Sequence, residues 1–70
     1  MRNRLLELRK SRGYTQIKVA LDLNLNQNSV SRYEKGERDA GYALLIQFAE
    51  YYNVSIDYIL GRTDNPELNK

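Results

Sequence analysis

Thr15-Gln-Ile-Lys-Val-Ala-Leu-Asp-Leu-Asn-Leu-Asn-Gln-Asn-Ser-Val-Ser-Arg-Tyr-Glu-Lys-Gly36 is the stretch that decides the fold. It reads as two short helices joined by a tight turn. Thr15 is placed to cap the first and Asn26 the second, since short oxygen-bearing side chains accept from the free amides of a first turn. Each cap has an apolar residue before it and another at the fourth helical position: Tyr14 with Val19, and Leu25 with Val30. That is the pattern of a hydrophobic staple.

Around this stretch the same logic gives three more helices. The first is predicted from about Arg2 to Arg12, with Leu5 and Leu8 at helical spacing and Gly13 placed to end it. The fourth is predicted from about Tyr42 to Tyr52, with Leu45, Phe48, Ala49 and Tyr52 inward and either Asp39 or Gly41 as cap. The fifth follows Ser55, whose staple pairs Val54 with Ile59. Gly36 and Gly61 close the third and fifth. No strand-like alternation of useful length appears, so the expected class is all-α with five helices. Residues 1–61 are expected to form the domain, and 62–70 (Arg-Thr-Asp-Asn-Pro-Glu-Leu-Asn-Lys) a flexible tail.

Composition removes several classes of chemistry. Seventy residues give room for one small core. The chain has neither cysteine nor histidine, which removes disulfides, the usual zinc sites and most triad chemistry. Its nine carboxylates fall into no catalytic constellation, so no enzyme, metal, cofactor or small-molecule ligand is expected. No apolar run approaches the roughly 20 residues of a membrane span, and Met1-Arg2-Asn3-Arg4 leads into no signal-type segment. A soluble, cytoplasmic protein is the expectation. The net charge of +2 is unevenly spread. Residues 1–38 hold nine Lys/Arg against four acids, whereas 39–70 hold two against five. A basic half around the two-helix stretch suits phosphates.

The third helix says more than the charge does. At 100° per residue from Gln27, Ser31, Lys35, Asn28 and Arg32 share an arc of about 140°, and Val30 and Tyr33 fall on the far side. A solvated helix favours Glu, Lys and Ala, but here the arc carries side-chain amides. Amides cost helix propensity yet donate and accept together, as the adenine edge in a major groove requires. Gln27, Asn28, Ser31 and Arg32 are therefore the candidate base contacts, with Arg32 suited equally to a guanine edge or a phosphate. Ser29, off the arc, suits a phosphate. Arg2 and Arg4 suggest a frayed basic terminus or a nucleic-acid arm.

Taken together, the stretch 15–36, the loop Gly36-Glu-Arg-Asp39 and the pattern Leu45…Phe48-Ala49…Tyr52-Asn-Val-Ser-Ile-Asp-Tyr-Ile-Leu60 resemble Cro/CI-type phage repressors and Xre-like bacterial regulators. The resemblance covers roughly residues 4–61 and implies a lambda-repressor-like fold with a helix-turn-helix at the second and third helices. It places Ala20 at the helix crossing, with Asn24 replacing the family's usual turn glycine. It also implies phosphate contacts at Thr15 and Gln16 and at Lys35 and Arg38, and a structural ion pair between Arg9 and Glu34. Leu44, Tyr51 and Tyr58 stand where that pattern is usually polar, as do Ile17 and Leu21. The first three are the candidate homodimer contacts. The expected partner is a palindromic double-stranded DNA operator, bound by a repressor-type regulator. The alternative is an interaction module of the same fold, such as an antitoxin or an antagonist of a repressor.

Overall fold

Three of the five helices begin at a side-chain cap. In the computed structural model, which describes residues 2–67, Thr15 Oγ1 accepts from the Lys18 amide at 3.1 Å, Asn26 Oδ1 from Ser29 at 2.7 Å and Ser55 Oγ from Tyr58 at 3.0 Å. The helices they open are α2 (Gln16–Asp22), α3 (Gln27–Lys35) and α5 (Ile56–Ile59), with α1 (Leu5–Ser11) before them and α4 (Tyr42–Tyr52) between α3 and α5. Each cap satisfies an amide that has no partner within its helix.

One boundary differs from the sequence expectation. α1 starts at Leu5 rather than Arg2, because Asn3 Oδ1 accepts the Leu5 amide and the Arg4 amide is given to the Ile59 carbonyl. α4 runs as expected, and of the two caps open to it the structure uses Gly41, with no side-chain bond. Its C-terminal end is set by Asn53, which enters the left-handed region at φ 57°. The Tyr52 carbonyl there accepts from the Arg12 guanidinium. A cation at a helix C-terminus is favoured by the helix dipole as well as by the hydrogen bond.

The five helices bury one cluster: Leu5 and Leu8 of α1, Val19 and Ala20 of α2, Val30 of α3, Leu45, Phe48, Ala49 and Tyr52 of α4, Ile59 of α5, and Ala40 and Val54 from the connections. Phe48 and Tyr52 lie one above the other, ring centroids 6.5 Å apart. Burial pushes the Tyr52 phenol up to about 12, so it stays neutral at physiological pH.

The segment after α5 turns back on the body. Arg4 Nη1 donates to the carbonyls of Tyr58 (2.8 Å) and Thr63 (2.6 Å), and Arg4 Nη2 pairs with Asp64 at 2.7 Å. The Arg4 guanidinium also lies 4.2 Å from the centre of the Tyr58 ring. The Ser55 amide donates to the Pro66 carbonyl at 3.1 Å. Residues 68–70 of the expected tail lie outside the described residues. Arg4 is thus neither frayed nor part of an arm; its charge is consumed by the segment beyond α5.

Candidate nucleic-acid interface

α2 and α3 meet at a turn with little freedom. Asn24 adopts φ 58°, and the Leu25 amide donates to the Ala20 carbonyl at 2.8 Å. Ala20 is itself buried, so a larger side chain there would push the two helices apart. Val30 is buried, and Tyr33 packs half-buried with its ring edge-on to Phe48 at 6.2 Å. These two positions fix the rotation of α3. The opposite surface presents Gln27, Asn28, Arg32 and Lys35 exposed, with Ser29 and Ser31 half-buried among them.

A buried ionic network joins the far end of α3 to the start of α2. Arg9 Nε and Nη2 donate to the two oxygens of Glu34 at 2.7 and 3.2 Å, and Arg9 Nη1 donates to the Tyr14 carbonyl. The Glu34 side chain is 4% exposed. Gln16 Nε2 donates to the same carboxylate at 3.1 Å. One of the two amide hydrogens of Gln16 is therefore committed inward, and the other stays available beside the exposed Thr15. The N-terminus of α2 keeps the backbone amides and dipole that favour an anion.

The basic half of the sequence is less available than its charge suggests. Arg4 is bound by the C-terminal segment, Arg9 by Glu34, and Arg12 by the end of α4. Lys18 is paired with Asp22 at 2.9 Å and lies over the Tyr14 ring. What remains on α3 and its following loop is Arg32, Lys35 and Arg38, all exposed, with the Arg38 guanidinium 5.8 Å from the Tyr33 ring centre. Arg2 and Lys10 are exposed as well. The exposed cations of this surface are thus a few side chains, not half the chain.

The apolar residues expected to be exposed divide. Ile17 and Leu21 are 56% and 77% exposed on α2, and Tyr42 is 74% exposed at the start of α4. Leu44, Tyr51 and Tyr58 are only half-exposed, packed against the core cluster. Tyr51 turns to α2, donating its hydroxyl to Asp22 with its ring 5.7 Å from Tyr14, whereas Tyr58 sits under Arg4. The last two thus have different neighbours within the fold. Burial first, then the bond to Asp22, raises the Tyr51 phenol far above its ordinary range. The same bond, with that from Lys18, lowers Asp22.

A family model described as helix-turn-helix matches residues 5–59. Among curated proteins, the HTH-type transcriptional regulator ImmR of Bacillus subtilis (strain 168) is 40% identical over 67 residues, 96% of this chain and 53% of its own. Two uncharacterized HTH-type transcriptional regulators of the same organism, YobD and YqaE, are 36% and 31% identical over 64 residues. Those alignments take in 91% of this chain and 57% and 55% of theirs. The chain therefore spans about half the length of the curated relatives it matches.

Proposed function

The chain belongs to the Xre-like helix-turn-helix family, and on that premise we propose that it is a sequence-specific DNA-binding regulator of transcription. α3 lies in the major groove, with Gln27, Asn28, Ser31 and Arg32 toward base edges. Thr15, Gln16, Ser29, Lys35 and Arg38 hold the flanking phosphates. The observation that carries this reading is the amide-bearing exposed arc of α3, opposite Val30 and Tyr33 in the core. Base contacts supply sequence discrimination and phosphate contacts supply register and most of the salt dependence. The activity is binding, and no chemical step is assigned to any residue.

The finer reading is a cytoplasmic repressor that occupies a palindromic operator as a homodimer, its two α3 helices about 34 Å apart. Leu44 and the exposed margins of Tyr51 and Tyr58 are its candidate contacts. The binding unit is residues 1–61, and residues 62–66 are tied to Arg4, Ser55 and Asp57. The test is selection from randomised duplexes at about 0.1 M salt, a concentration at which phosphate binding is not overwhelming. An enriched palindrome whose preference relaxes at one base pair in Gln27→Ala is the expected result. Binding without preference, unchanged by that substitution, overturns it. The exposed pair Ile17 and Leu21 on α2 would then favour the interaction-module reading.

A further inference from the structure

α3 ends in a reversal that carries the following loop back across its own last turn. Gly36 takes φ 75°, its amide donates to the Tyr33 carbonyl at 3.2 Å, and the Glu37 amide donates to the Arg32 carbonyl at 3.0 Å. Asn3 Nδ2 donates to the same Tyr33 carbonyl at 2.8 Å. Tyr33 is thereby fixed twice over, by its backbone in this reversal and by its ring against the buried Phe48. Beyond the reversal, the Arg38 guanidinium lies over that ring, 5.8 Å from its centre. Arg32 and Lys35, the other cations of this surface, have no ring beneath them among the described residues.

We propose that Tyr33 is a positioning residue for DNA binding, its ring holding the Arg38 guanidinium ready for a backbone phosphate. This deepens the proposed function and rests on its assignment of Arg38. The loop sequence places Glu37 and Asp39 on either side of Arg38. A guanidinium captured by the Glu37 carboxylate would be withdrawn from a phosphate. An aromatic face attracts a cation without taking up its N–H donors, so the ring competes with Glu37 and leaves those donors for a phosphate. Tyr33 thus serves binding without touching the nucleic acid. An ammonium at position 38 would keep the charge but lose the delocalised guanidinium, which is the more weakly hydrated of the two and the better suited to an aromatic face.

The test is a double-mutant cycle on one duplex, reading Kd and its salt dependence for the full chain. Arg38→Ala is expected to weaken binding about tenfold and to flatten the salt slope by about one ion per protomer. Tyr33→Leu is expected to weaken it about threefold, while Tyr33→Phe, which keeps the ring, binds as wild type. In the Tyr33→Leu background, the Arg38→Ala loss should shrink to about threefold, because the positioned part has already gone. Losses that multiply in full overturn the inference. If circular dichroism shows Tyr33→Leu unfolded, Arg38→Lys carries the test: about threefold weaker binding is expected and wild-type affinity overturns it. Failure of the wild type to bind any duplex removes the proposed function itself. Binding that is intact but uncoupled removes only the role of Tyr33.

Discussion

Arg9 and Glu34 face each other edge to edge, two parallel N–H···O bonds joining α1 to the last turn of α3, with the carboxylate nearly sealed from water. Such a pair contributes little net stability relative to apolar residues of the same shape, since desolvating both charges offsets their attraction. Breaking it on one side is different, because the remaining charge stays buried. Arg9→Ala or Glu34→Ala should each cost about 3–5 kcal/mol in urea unfolding, and Arg9→Met with Glu34→Leu should recover much of that loss. Additive losses in the double variant would show that the two residues act separately.

Asn24 holds a left-handed backbone at the turn between α2 and α3. Asn24→Gly should leave the melting temperature within a few degrees of wild type, since glycine adopts this conformation without strain. Asn24→Val should lower stability by about 1–2 kcal/mol, its branched Cβ being the least tolerant of positive φ. Equal stability for the two variants would contradict the strain argument.

The bond from the Tyr51 hydroxyl to Asp22 has a signature in acid. That bond, followed by the one from Lys18, holds the Asp22 carboxyl below its ordinary 3.8. A carboxyl lowered on folding stabilises the native state above its unfolded value, and the contribution is lost as pH falls through the folded value. The loss therefore falls below about pH 4. In an NMR titration, Tyr51→Phe should move the Asp22 midpoint upward and reduce the acid-limb fall in stability. An unmoved midpoint would leave Lys18 as the sole cause.

Arg4→Ala should release the segment that follows α5 while sparing DNA binding. Hydrogen exchange should quicken at the amides of Ser55 and Arg62, which donate to Pro66 and Asp57. Overall stability should fall by about 2 kcal/mol, in line with loss of charge-assisted bonds to carbonyls. Unchanged exchange at both amides would mean that the segment is held by its own turns.

Lys35→Ala tests the division of labour on α3. Its exposed ammonium makes no ion pair among the described residues, so its removal should leave the melting temperature unchanged. Affinity should fall by a similar factor on every duplex, with a shallower salt slope. A loss confined to one sequence would move Lys35 from the phosphates to a base.

What was legible in the sequence was mostly local. The caps Thr15, Asn26 and Ser55 each act on an amide three residues away, so residue type and spacing suffice to find them. The exposed arc of α3 follows from periodicity alone. Arg9 with Glu34 was reachable only through the family resemblance. The bonds of Arg4 to Asp64 and Tyr51 to Asp22 span 60 and 29 residues, and depend on how α5 and α4 dock. That is why Arg4 read as a loose cation and Tyr51 as an exposed aromatic. The composition likewise could not show that Arg4, Arg9, Arg12 and Lys18 are occupied inside the fold.

With residues 4 and 64 in contact, the described chain is almost a closed ring. The entropy of loop closure grows only with the logarithm of length, so the folded body has already supplied most of what joining these points requires. A short covalent bridge across them would restrict the unfolded ensemble, and its effect on α3 would run through Asn3, whose side-chain amide already holds the Tyr33 carbonyl. The two ends of the described chain and the last turn of α3 are therefore one mechanical unit, so that a tether on either end is felt at that turn.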